Sequence, residues 1–238
     1  STQSLAVKSA IHTPLVFDDP MRFQRSYWMN QFDFSSSSEP SYKSSNHEFL
    51  KAVDVSAKSS ARRIRRAWSD YETNVDYGIV PMDLPKVASC IDAGLETQLY
   101  HVSFRNNAFD THVQQPNLHR RLLSYASDAI FGFVNDLKRL GHADRVVVMV
   151  YSEFGRRVPE NANLGTDHGS ANNMFFIGNR VNGGHYGVLP SLVNLIDSGN
   201  LAFTTDFRQV YATAIEDWLK ADSKKVLKGT FERFPIFA

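Results

Sequence analysis

Cysteine is nearly absent from this sequence. Cys90 stands alone among 238 residues, so the chain forms no internal disulfide and cannot build a zinc site on thiolates. An excess of charge of one sign is also missing: 26 Lys and Arg against 25 Asp and Glu leave a net charge of +1. So even a balance provides no field to draw nucleic acid or an anionic membrane, and neither is expected as a partner. No apolar run approaches the roughly 20 residues that a membrane-crossing helix needs. The chain starts at Ser1 and shows neither a signal-peptide pattern nor an internal repeat. What is present is an ordinary globular mixture, 42% apolar and 21% charged, and long enough to bury a sizeable core. We expect a single α/β domain over residues 1–238.

Along the chain, Leu5 to Ala10 reads as a short strand and Ser35 to Ser45 as a serine-rich loop. Asn46 is placed to cap a helix running to about Tyr71, with Phe49, Val53, Ala57, Ala61, Ile64 and Trp68 on one face. Arg62, Arg63, Arg65 and Arg66 surround that face, as a solvated helix surface would. Leu84 to Ala93 reads as a second helix, with Pro85 in its first turn and Gly94 just beyond it. Gln98 to Phe104 reads as a strand. Pro116 opens a long helix to about Leu140, with Leu118, Leu122, Ala126, Ala129, Ile130, Phe133, Val134 and Leu137 inward and Gly141 at its end.

Arg145 to Tyr151 is the clearest strand, since its continuous valine-rich run suits a central strand buried on both faces. Met174 to Ile177 is a second buried strand candidate. A helix from Thr205 or Asp206 to about Lys220 places Phe207, Val210, Tyr211, Ala214, Ile215 and Trp218 inward. Helices alternating with strands in this order predict an α/β fold with a mostly parallel central sheet flanked by helices.

In such sheets ligands bind beyond the carboxyl ends of the strands, which directs attention to the loops after Phe104, Tyr151 and Ile177. The first carries Phe109-Asp110-Thr111-His112. A carboxylate and an imidazole two residues apart reach the same side of an extended loop and suit one cation; an Asx turn beside a surface histidine has the same spelling. The second begins Ser152-Glu153-Phe154-Gly155-Arg156-Arg157. An acid at the tip of a buried strand needs a positive partner, which is either a metal ion or one of those arginines. Further on, Gly165-Thr166-Asp167-His168-Gly169 sets an acid and an imidazole between glycines, an arrangement that serves close approach to a ligand or a simple turn. Asp110, His112, Glu153, Asp167 and His168 together form a donor set for zinc, manganese or magnesium.

Three segments carry a resemblance: Val146 to Arg156, Gly165 to Gly169, and Gly178-Asn-Arg-Val-Asn-Gly-Gly-His-Tyr-Gly187. They resemble a large bacterial family of uncharacterised function grouped with sulfatases and alkaline phosphatases, whose members often look exported by the twin-arginine route. Phe109 to His112 and Asp206 to Thr213 fit it as well. The resemblance covers roughly Leu5 to the C-terminus. It implies an alkaline-phosphatase-like sheet and a two-metal hydrolase of phosphate or sulfate esters, exported or periplasmic. The cofactor would be a divalent metal, zinc first, with manganese, magnesium or calcium as alternatives.

Asp110, His112 and His168 would then ligate one metal and Glu153 the other. Asp167 would join either metal or orient His168, and Arg156 would meet an oxyanion of a small anionic ester substrate.

Two departures accompany this. The superfamily has Asp followed by His where this chain has Glu153 and Phe154. An early strand with a Gly-Gly-x-Asp-like motif and a nucleophile is also not seen, which implies the C-terminal portion of a larger domain. Ser103, Ser152 and Thr166 lie near the expected edge but read as turn residues. The alternative function is a non-catalytic binding or scaffold domain with a partial metal site. A third possibility is a fragment whose edge strand pairs with another chain. Oligomeric state and substrate are open.

Overall fold

A computed structural model describes residues 14–23, 45–104 and 107–238. The strand expected over Leu5 to Ala10 and nearly all of the serine-rich loop lie outside these residues. Three helices form the body: α1 (Ser45–Asp70), α2 (Leu84–Asp92) and α3 (Gln115–Arg139). Their ends follow the chemistry of the chain. Pro85 sits in the first turn of α2, where no amide hydrogen is needed, and Gly94 leaves it at φ +66°. Pro116 opens α3, Lys138 and Arg139 close its last turn, and Gly141 adopts φ +76° beyond it.

The core lies where α2 and α3 meet the segment between α1 and α2. Tyr77, Leu84, Ala88, Ile91, Ala129, Phe133 and Leu137 are buried against one another. Burying side chains of the size of Phe133 or Leu137 stabilises by about 1.5–3 kcal/mol each. Gly132 lets the chain cross α3 closely, since a Cβ there would lie 2.6 Å from the Asp76 carbonyl oxygen. One turn on, fully buried Asp136 accepts hydrogen bonds from the Tyr71 hydroxyl, Tyr77 Oη (2.7 Å), Thr73 Oγ1 (3.0 Å) and Arg139 Nε (2.8 Å). A carboxylate is tolerated in this core because four donors replace its water.

After a 3-10 turn (Ala143–Arg145) come six short strands: β1 (Val148–Val150), β2 (Gly155–Arg156), β3 (His168–Gly169), β4 (Phe175–Ile177), β5 (Leu195–Ile196) and β6 (Asn200–Leu201). β1 pairs with β4, β2 with β3 and β5 with β6, each pair antiparallel. The chain ends in α4 (Phe207–Thr213), which widens into a π-helical stretch (Ala214–Trp218), and α5 (Ser223–Leu227). Asp206 caps α4 by accepting from the Arg208 amide. Among the described residues no helix is long and apolar enough to cross a membrane.

The expected mostly parallel central sheet is not what forms. Among the described residues every ladder has two strands and runs antiparallel. Residues 98–104 run without a ladder, and Leu99 is 62% exposed. The valine-rich run is half-buried rather than enclosed, and Val146 and Val148 pack on the helical core. Its apolar character therefore reflects packing on helices and not flanking parallel strands. The helix faces differ in places too. Among the described side chains of α1, Ala61, Ile64 and Ala67 are buried, while the expected face positions Phe49, Val53 and Ala57 lie outside them; Leu118 of α3 and Phe207 of α4 are exposed.

Candidate metal centre

Two loops are laced together in front of α3. The Gln114 and Gln115 amides donate to the carbonyls of Asn163 and Leu164, each at 2.9 Å. The Gln115 side chain donates to the Thr111 carbonyl and Oγ1, both at 3.0 Å, and accepts from Thr166 Oγ1 at 2.8 Å. The Asn161 amide nitrogen reaches the His112 carbonyl (3.1 Å) and Asp167 Oδ1 (3.2 Å). Gly165 is required at the crossing, since a Cβ there would meet the His112 carbonyl oxygen at 2.3 Å. Gly155 and Gly169, paired across β2 and β3, allow the same kind of close approach: a Cβ on the first would meet the Ala171 carbonyl oxygen at 1.7 Å and on the second the Arg156 carbonyl carbon at 2.5 Å.

The result is a convergence of three side chains from these loops. His168 Nε2 lies 2.7 Å and His112 Nε2 2.9 Å from the same oxygen, Asp110 Oδ1. All three ligand atoms fall within 4.8 Å of one another. A carboxylate only accepts, so each Nε2 presents a proton to it. Two protons aimed at one oxygen occupy the place where a cation would sit. The other nitrogen of His112, Nδ1, faces Asp167 Oδ1 at 3.6 Å. Hydrogen bonding from His168, with the charges of His168 and His112, holds the Asp110 carboxyl below the usual carboxylate range. The Asn161 amide, aided by His112 and by the charge of Arg157, lowers that of Asp167. The side chains of Asp110 and His112 are 39% exposed and that of His168 44%, so the centre opens to solvent.

The donor set suits zinc. In a tetrahedral zinc centre with bonds of about 2.0 Å, ligand atoms sit about 3.3 Å apart, so shifts below about 1 Å would close these three on one ion. Of the expected site residues, Asp110, His112 and His168 are brought together. Asp167 stands one step out, beside His112 and not beside His168. Exposed Glu153 lies outside the converging group. Arg156 donates from Nη1 to the Thr166 carbonyl and from Nη2 to the Phe109 carbonyl, both at 2.6 Å. Phe154 stacks on the His168 ring with centroids 3.8 Å apart and planes 9° from parallel. Asn161 and Gln115 hold the loops, and their types alone did not single them out.

Three further histidines and two hydroxyls among the described residues make local contacts. His119 touches Phe109 edge-on and Thr111 Oγ1 at 3.4 Å; burial, then the charge of Arg156, pushes its pKa down. His142 pairs with Asp92, and His101 with the Tyr151 hydroxyl. Ser152 closes its own turn with Phe154, and Thr166 is held by Gln115.

Comparison with known proteins corrects the expected kinship. No curated protein and no solved structure matches the chain. Nothing found links it to sulfatases or alkaline phosphatases, and membership in that superfamily is withdrawn along with the parallel sheet. The resemblance rests on short segments, Val146 to Arg156, Gly165 to Gly169 and Gly178 to Gly187 with Phe109 to His112 and Asp206 to Thr213, and the glycine-flanked polar turns among them occur in many folds. Residues 29–231 match the family described as "Protein of unknown function (DUF1501)", and the chain belongs to that family.

Proposed function

We propose that this chain binds one divalent metal ion at Asp110, His112 and His168, zinc in first place, and hydrolyses a phosphate or sulfate ester there. The observation that carries this reading is the convergence of two imidazole nitrogens and a carboxylate oxygen on one solvent-facing point. Two imidazoles suit zinc; manganese remains an alternative, whereas magnesium or calcium would ask for more oxygen donors. When bound, such an ion supplies Lewis acidity and brings the pKa of a bound water to about 7.

The chain's own side chains do the rest. Asp110 joins the two histidines and offsets charge. Asp167, with Oδ1 3.6 Å from Nδ1 of His112, would accept a proton from that nitrogen and orient the ring once Nε2 is given to the ion. These three residues would hold the ion at a point open to solvent, where a small anionic ester could enter. Ser152 and Thr166 are tied in local hydrogen bonds, so water is the proposed nucleophile.

A second reading, a non-catalytic binding or scaffold domain, is favoured by one observation: Glu153 lies outside the ligand group, which among the described residues offers donors for one ion. Turnover of aryl phosphates and aryl sulfates separates the two. The hydrolase predicts activity with zinc or manganese that a chelator abolishes and that His168→Ala lacks. Bound metal without turnover of any such ester supports the binding domain and rejects the hydrolase.

A further inference from the structure

Arg156 touches each piece of the chain that brings a ligand to this centre. Its Nη2 hydrogen-bonds the Phe109 carbonyl, one residue before Asp110, and its Nη1 the Thr166 carbonyl, one residue before Asp167, both at 2.6 Å. Its backbone pairs with His168 across β2 and β3. Its guanidinium carbon lies 5.1 Å from the centroid of the Phe154 ring, and that ring stacks on His168 at 3.8 Å. A planar fork with donors in fixed directions can bridge two carbonyls from different loops at once, which an ammonium on a flexible stem does poorly.

Electrostatics alone argues against an arginine here. A fixed positive charge beside a cation site repels the ion it is meant to hold. An arginine in this place is accounted for by geometry, since its two hydrogen bonds fix the spacing of the loops that carry Asp110 and Asp167.

We propose that Arg156 is a positioning residue of the metal centre: it clamps the 109–112 and 166–168 loops and, through Phe154, seats the His168 ring. The inference rests on the metal reading above, and it moves Arg156 from substrate contact to ligand geometry. Clamp and charge predict opposite signs. If charge repulsion dominated, Arg156→Gln would bind zinc more tightly than the wild type. If the clamp dominates, it binds more weakly.

The test is zinc titration against a chromophoric chelator, with the visible spectrum of the cobalt(II)-loaded protein as a report on ligand geometry. Arg156→Gln and Arg156→Lys are each expected to weaken zinc binding by about 10–100-fold, as when the orientation of a ligand is disturbed. Both should also alter the cobalt spectrum. Phe154→Leu, which keeps the clamp and removes the ring stack, should shift both readouts in the same direction by less. Far-UV circular dichroism checks that each variant is folded; Arg156→Lys and Phe154→Leu keep the test valid if Arg156→Gln is not.

Zinc affinity within twofold of wild type and an unchanged cobalt spectrum in the Arg156 variants would overturn this inference alone. Tighter binding by Arg156→Gln would also overturn it. A wild-type protein that binds no zinc would overturn the metal reading together with it.

Discussion

Gly165→Ala tests how tightly the two ligand loops are fitted. The added methyl would lie 2.3 Å from the His112 carbonyl oxygen, 2.5 Å from its carbon and 3.1 Å from the Val113 nitrogen. A Cβ does not approach backbone atoms below 3.0 Å, so the chain at His112 must withdraw. A displacement on the order of 1 Å relieves the overlap, and overpacking of this kind costs about 1–3 kcal/mol. His112 would carry that displacement into the centre, where ligand distances must hold to about ±0.2 Å. The expected outcome is a urea midpoint lowered by that cost and zinc affinity reduced at least about tenfold, the lower end for a misoriented ligand. Gly183→Ala is the control, because a Cβ there meets nothing within 4 Å. It should leave stability within about 0.5 kcal/mol of wild type. If Gly165→Ala matches Gly183→Ala in urea, the loops are not packed as described. If it is destabilised but binds zinc normally, the coupling from Gly165 through His112 to the centre is refuted.

Asp136→Ala removes the acceptor shared by Tyr71, Tyr77, Thr73 and Arg139 and leaves the buried Tyr77 hydroxyl with only the Tyr71 hydroxyl, 3.3 Å away, as partner. It should cost about 1–3 kcal/mol in urea unfolding, a sizeable share of a typical domain's stability. Burial pushes the Asp136 carboxyl up, but its hydrogen bonds outweigh that and leave its pKa below the usual value. Its contribution is therefore complete above the unfolded aspartate value of about 3.9 and is lost as pH falls through the lower folded value. Acid unfolding followed by circular dichroism should show a shallower decline for Asp136→Asn than for wild type below about pH 4. Asp167→Ala should weaken zinc binding by about 10–100-fold by freeing the His112 ring, with little change in the urea midpoint. A titration that finds wild-type affinity would remove Asp167 from the centre.

The helices were legible because their signals are local. Pro85 and Gly94, and Pro116 and Gly141, mark ends that need nothing beyond the neighbouring turn. Buried stripes such as Ala129, Phe133 and Leu137 repeat at helical spacing. Pairing of strands is a long-range property, and there the reading failed. The run around Val148 shows that its side chains are apolar, not which strand it meets or in which direction. Apolar character also does not state which side is covered, as exposed Phe207 demonstrates.

For the candidate site, residue chemistry carried part of the way. Asp110, His112 and His168 stand out by type and by neighbouring glycines, and the fold brings them together. Glu153 follows a strand expected to end at a shared sheet edge, and among the described residues that edge does not form. Asn161 and Gln115 act by where they sit between loops, which an isolated polar residue in a loop does not reveal.

The central claim is that Asp110, His112 and His168 hold one divalent ion. Anomalous diffraction from zinc-loaded crystals, recorded on both sides of the zinc edge, tests it most directly. The account predicts one peak about 2.0–2.2 Å from Asp110 Oδ1, His112 Nε2 and His168 Nε2, absent in the His112→Ala, His168→Ala double variant. No peak at that point, or a peak held by other side chains, would contradict it.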